Sequence, residues 1–200
     1  MEEVPTRNLK AVEILKWARL SQLGLRFVME DNLQALLADV LKAAIEITYA
    51  DKGNIQLIGK RNTLKIVAQY GFNRRFLDYF NEVTEDTHAA CAKAYETKKR
   101  VIVEDVTEST LFKKTKSLEV LLEADVRAVQ STPLFTQKGE FLGIVSTHFK
   151  QPSKFDRDVL PLLDVSMRYA AECIKRLQKQ EELQNDINAL EKKLKTKLNE

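Results

Sequence analysis

Few side chains in this 200-residue chain have the chemistry for nucleophilic, redox or metal work, and they are Cys91, Cys173, His88 and His148. The two cysteines fall in segments that read as separate helices and form no CxxC or other metal-ligand spacing, so both are expected to be reduced thiols and no metal site is expected. Cys91 sits in HAACAKA, near the start of a helix. That position suits a small packing residue, or a thiol whose pKa is lowered by the helix N-terminus. His88 fits the cap region of the same helix. His148, in a strand ending Thr147-His148-Phe149, could give a ligand one donor and one acceptor, or be satisfied by backbone and water. There is no Gly-rich phosphate loop, no GxSxG elbow and no kinase box, so no catalytic residue is expected.

A second kind of chemistry is suggested by polar side chains at strand centres. Gln56, Gln130 and Thr132 lie within strand-like segments, and a buried amide or hydroxyl without a partner costs about 1–3 kcal/mol. With Ile55, Leu57 and Val129 assigned to the apolar contact with long helices, period-two alternation sends Gln56, Gln130 and Thr132 to the other face. There they would share a cavity with His148, closed above by Phe76, Phe80 and Cys91. The polar groups would bind a small polar molecule or water, or bond one another in a filled core.

The rest of the chain must position these groups. Apolar residues make up 44% and charged residues 30%, with 6 Gly and 4 Pro, which excludes collagen-like and wholly disordered chains. The 32 basic and 29 acidic residues are interspersed and leave a net charge of +3, so nucleic acid is not an expected partner. No run approaches the ~18 apolar residues of a membrane span, and the polar start MEEVPTRNLK is no secretory signal, so a soluble, cytoplasmic chain is expected.

Residues 9–29 read as a helix broken or bent near Gly24. A second helix, capped by Asp31 or Asn32, carries Leu33, Leu36, Leu37, Val40, Leu41, Ala44 and Ile45 on one face and ends at Tyr49 and the turn residues Asp51, Lys52 and Gly53. Residues 54–58 and 64–70 form a predicted hairpin, and residues 127–136 and 141–149 form another around Gln137, Lys138, Gly139 and Glu140. Between the hairpins lie helices over 73–81, 89–98 and 117–124 and a short strand over 101–103. This order predicts an α+β domain, an antiparallel sheet with helices on both faces and the terminal helices together on one of them.

From about Phe155 one helix runs to the end. Leu160, Leu163, Met167, Ala170, Ile174 and Leu177 alternate spacings of three and four, and Ile187, Leu190 and Leu194 resume the pattern. Read as one coiled-coil seam, the ten-residue step from Leu177 to Ile187, bridged by Gln180 and Leu183, is a stammer. The seam predicts a dimer.

The segments GNIQL (53–57), LKIVAQYGF, VIVEDV, VRAVQSTPLF and KGEFLGIVSTHF, in this order and followed by a long helix, closely resemble the GAF domains of bacterial signalling proteins. The resemblance divides the chain into an N-terminal helix (1–30), a GAF domain (31–176) and a coiled-coil connector (177–200). It implies a sensory or regulatory module with a small-molecule pocket, homodimeric and parallel through both terminal helices, feeding an output such as a histidine kinase of a two-component system. Any kinase or cyclase activity would lie in that output domain. The candidate ligand-binding residues are Gln56, Phe76, Phe80, Cys91, Gln130, Thr132 and His148, with no catalytic or metal-binding residue and no cofactor. A covalent bilin would need a cysteine that the segment TLFKKTKSLEVLLEADVRA lacks. The cyclic-nucleotide pattern fails because Asn54 has no lysine beside it. The alternatives kept open are a ligand-free dimerisation scaffold and thiol-based redox chemistry at Cys91.

Overall fold

The computed structural model describes residues 18, 20–59, 62–84, 87–155 and 157–198. The chain is helical over residues 20–29 (α1), so of the expected break or bend at Gly24 the break does not occur; the rest of the predicted first helix lies mostly outside the described residues. Helix α2 (Leu33–Thr48) starts where Asn32 accepts a hydrogen bond from the Ala35 amide. It stops where Tyr49 takes a left-handed conformation (φ 56°), which ends the helical ladder. Strand β1 then begins at once (Lys52–Ile58), so Lys52 and Gly53 belong to the sheet and not to the turn.

Strand β2 (Leu64–Tyr70) returns beside β1. Asn73 caps the short helix α3 (Arg74–Tyr79) by accepting from the Phe76 amide. A two-residue edge strand, β3 (Glu82–Val83), pairs with β2, too short for any periodicity to reveal. Helix α4 (Ala90–Thr97), strand β4 (Val101–Val103) and helix α5 (Lys116–Glu123) follow. The second hairpin is β5 (Ala128–Phe135) and β6 (Phe141–Phe149), its turn closed by Gly139 at φ +81°. A 3₁₀ turn (Arg157–Val159) leads into the 39-residue helix α6 (Leu160–Leu198).

The six strands form one antiparallel sheet in the order β3-β2-β1-β6-β5-β4. Both faces are covered. Ile55, Leu57, Leu134 and Val145 meet α2 and the first half of α6, with Phe27 from α1 at the edge. Leu64, Val103, Val129 and Ile144 meet α3, α4 and α5 on the other side. The central strands are therefore buried on both faces, and β1 and β6 read as near-continuous buried runs.

Where β1 meets β6, the backbones approach so closely that a Cβ at Gly143 would lie 2.1 Å from the Gln56 carbonyl oxygen. Gln56 is also where the register of β1 against β2 shifts, through a bulge between Ile55 and Gln56. The glycine lets the centre of the sheet close. Gly143→Ala is expected to destabilise the fold by about 3 kcal/mol or more, the upper range for overpacking, measured by chemical denaturation.

The predicted single seam along the last helix divides in two. Leu163, Met167, Ala170, Ile174 and Leu177 are buried against the chain's own sheet and α2. Leu183, Ile187, Leu190 and Leu194 are 49–64% exposed. At 3.6 residues per turn, the ten residues from Leu177 to Ile187 carry the stripe about 80° round the helix. The expected stammer is thus the handover from a domain-packing face to a second, outward face.

Candidate functional site

On the face of the sheet turned to α3, α4 and α5, side chains from three strands converge on one cavity. Pairing sets the alignment: Asn54 is opposite Ser146, Ser146 opposite Ser131, and Val129 opposite His148. Directly opposed residues of antiparallel strands share a face, so Asn54, Ser131, Ser146 and His148 point the same way as Gln56. Phe76 and Phe80 from α3 and its end, and Cys91 from α4, close the cavity from above.

Gln56, Phe76, Phe80, Cys91 and His148 are thereby brought together, as the sequence suggests. Gln130 and Thr132 are not. They face α6, where Gln130 Nε2 donates to Thr132 Oγ1 (3.4 Å) and Arg100 Nε donates to the same oxygen (3.1 Å). Arg100 also forms an ion pair with Asp164 of α6, so this polar group ties the sheet to the long helix. The error came from assigning Val129 to the long helices because it is apolar. With helices on both faces, hydrophobicity does not tell one side from the other, and Val129 packs among the roof residues. Asn54, Ser131 and Ser146 line the cavity and were missed as site residues. Their signal was present as alternate polar positions in neighbouring strands, but only the register aligns them.

The cavity is small, about 20 Å³, which is room for roughly one water molecule. Its walls are polar in an unusual way. Asn54 Oδ1, Gln56 Oε1 and His148 Nδ1 are buried with no hydrogen-bond partner. Ser131 and Ser146 satisfy each other at 2.8 Å, and Gln56 Nε2 donates to the Phe80 carbonyl at 3.4 Å. Two acceptor oxygens and one imidazole nitrogen, none with a partner, therefore surround one void.

His148 is held neutral. Burial pushes its pKa down to about 3, the nearby Lys52 ammonium pushes in the same direction, and a backbone hydrogen bond at Ser146 opposes them only in part. The rings of Phe72 and Phe76 stand edge to face with the imidazole at 4.9 and 5.7 Å. Lys52 is itself buried, with its ammonium donating to the Ala124 carbonyl.

Cys91 is a protonated thiol at neutral pH, because burial raises its pKa to about 12 against weaker hydrogen bonds from Ala92, its own backbone and Gln56. The helix N-terminus does not win. Cys173 lies in the hydrophobic cluster on the opposite side of the sheet, so the two thiols do not form a relay. Among the described residues, no group of three or more His, Cys, Asp and Glu is placed to hold a metal ion, and no helix is long and apolar enough to cross a membrane.

A family model described as "GAF domain" matches residues 30–175. No curated protein gives a significant match. The fold is similar to the GAF domain of a phosphoenolpyruvate-protein phosphotransferase from Coxiella burnetii, with a TM-score of 0.69 and 16% identity over 83% of this chain and 96% of that one. It is similar to a domain assigned to a two-component sensor histidine kinase protein from Sinorhizobium meliloti 1021, with a TM-score of 0.63 and 17% identity over 78% of this chain and 99% of that one. The chromophore-binding domain of a bacteriophytochrome from R. palustris gives a TM-score of 0.63 at 12% identity, over 82% of this chain and 62% of that one. At such identities the likeness speaks for the fold.

Two measurements check this site. The unfolded chain binds a proton at His148 below pH about 6.5 that the folded chain refuses down to about 3, so stability is expected to fall as pH drops below 6.5. The slope is up to about 1.4 kcal/mol per pH unit for one proton, and His148→Gln should flatten it in urea titrations run at a series of pH values. Native Cys91 should react with a thiol reagent at pH 7 orders of magnitude more slowly than the same cysteine in urea; equal rates would return the thiol to candidacy.

Proposed function

The chain belongs to the GAF domain family, and on that premise we propose that it is a sensory and regulatory input module whose cavity between the sheet and α3–α5 takes a small polar molecule. The observation that carries this reading is the set of unpartnered groups around one void, the acceptor oxygens Asn54 Oδ1 and Gln56 Oε1 and the imidazole nitrogen His148 Nδ1. Such groups cost stability unless something donates to them. The complementary ligand presents N–H or O–H donors. With His148 neutral and the Lys52 ammonium close by, a neutral molecule is favoured over a cation.

A void of about 20 Å³ holds little more than one water, so a larger ligand requires the roof of α3 and the segment through β3 to move outward. That movement is what would make the module a sensor. In this reading residues 31–176 form the sensing domain, and residues 1–30 and 177–200 are helical connectors. Two copies pair through those connectors and relay the change to an output such as a histidine kinase. The Arg100–Asp164 pair and the buried first half of α6 supply a rigid path from sheet to connector.

The small volume favours a second reading, a ligand-free dimerisation and relay scaffold in which one buried water fills the void and donates its two hydrogens to Asn54 Oδ1 and Gln56 Oε1. The two readings part in a thermal-denaturation screen of small donor-bearing molecules, backed by native mass spectrometry. The sensor reading expects at least one compound to raise Tm by several degrees. Gln56→Met, which removes an acceptor at similar volume, is expected to lose that response while the free protein keeps or gains up to about 1 kcal/mol. A chain that answers to no compound, with Gln56→Met behaving as wild type throughout, belongs to the scaffold.

A further inference from the structure

Beyond Leu177, α6 leaves its own domain and carries an apolar stripe that no described residue of the chain covers. Leu183, Ile187, Leu190 and Leu194 follow spacings of four, three and four, and are 49%, 49%, 64% and 61% exposed. Four large apolar residues in register along one helix face form the seam of a two-stranded coiled coil. The charges beside the seam are not evenly mixed. Glu181, Glu182 and Asp186 occupy the first half of this segment, and Lys192, Lys193 and Lys195 the second.

The flanking positions choose between the two ways of pairing with a second copy. With Ile187 and Leu194 at one core position of the heptad and Leu183 and Leu190 at the other, Asp186 and Lys193 flank the seam on one side and Gln184 and Glu191 on the other. In a parallel pair, each flanking residue faces the opposite flank of its partner five positions on. Asp186 would then face Glu191 of the second copy, twice over, which is repulsion beside the seam. In an antiparallel pair, Leu183 stacks on Leu194 of the second copy and Ile187 on Leu190. Asp186 then faces Lys193 of the second copy, again twice, and Glu182 comes level with Lys195. All four apolar layers are kept in either case, so the charges decide.

We infer that residues 180–196 bind a second copy of this chain as an antiparallel coiled coil, with the two domains at opposite ends of the pair. This reverses the parallel arrangement that the sequence resemblance implies. The inference rests on the pairing of copies in the proposed function and fixes its direction. It places the domains roughly 25 Å apart along the helix axis, from 17 residues at 1.5 Å each. Salt weakens the preference, since the deciding pairs are exposed.

The test uses the whole chain in sedimentation equilibrium at low salt. Asp186→Lys replaces two attractions by two repulsions in the antiparallel pair and should weaken dimerisation roughly tenfold. The double variant Asp186→Lys, Lys193→Asp should restore it. In a parallel pair Asp186→Lys would instead face Glu191 and tighten association, which overturns the inference while leaving dimerisation intact. A second measurement reads geometry directly. A mixture of Leu183→Cys and Leu194→Cys chains should form the mixed disulfide on mild oxidation, whereas Leu194→Cys alone should not link to itself. Self-linking of Leu194→Cys overturns the direction. A chain that stays monomeric at hundreds of micromolar and forms neither disulfide overturns the pairing as well. The substituted residues are exposed, so failure to fold does not confuse the result.

Discussion

Burial of the sheet on both faces is the constraint from which the rest of the structure follows. With α2 and α6 on one side and α3, α4 and α5 on the other, β1, β6 and β5 have no wet face on which to put polar groups. Any amide, hydroxyl or imidazole in these strands must find a partner inside. On the α6 side the partners are protein in part, and Gln130 Oε1, Thr147 Oγ1 and Ser166 Oγ are left without one. Thr132 takes hydrogen bonds from Gln130 and Arg100, and Arg100 reaches Asp164. On the roof side, Asn54 Oδ1, Gln56 Oε1 and His148 Nδ1 border a void and have no partner among the described residues. What marks out the site is that its orphaned groups border a void, whereas the orphaned oxygens on the α6 side do not line it.

The same burial tunes the chemistry of what lies inside. Desolvation drives His148 to the neutral form and Cys91 to the thiol, so the site offers hydrogen bonding and shape, not a base or a nucleophile. Lys52 reinforces the effect on His148 while its own charge is stabilised at the Ala124 carbonyl. An environment of this kind suits recognition, because its acceptors keep their identity across the physiological pH range.

The long helix joins this interior to the outside. Its first half contributes Leu163, Met167, Ala170, Ile174 and Leu177 to the core, so it moves only when the domain does. Its second half carries an apolar stripe on a different side, about a quarter of a turn away. A rotation of the first half would therefore appear as a rotation of the second stripe. One continuous helix can carry a change in the core to whatever contacts its end without any hinge.

Much of this protein was legible in its residues. Composition and periodicity placed the two hairpins and the six described α-helices, and the motif order from GNIQL to the last helix pointed to the family. The Asn32 cap is readable because its chemistry is local. The short strand β3 was not, since two residues carry no period. Nor was the phase of β5: Val129 and Gln130 are both buried, and only the pairing of Val129 with His148 and of Ser131 with Ser146 tells which faces the cavity. The spacing of three and four in the last helix was likewise visible, but not that Leu177 ends one contact face and Leu183 begins another. The sequence by itself determined the elements, their order and the charges along the tail, because these depend on residues a few positions apart. Only the tertiary structure decided which polar groups share a cavity, how small that cavity is and which apolar stripe stays exposed. Those depend on register and coverage, set by contacts between residues far apart in the chain.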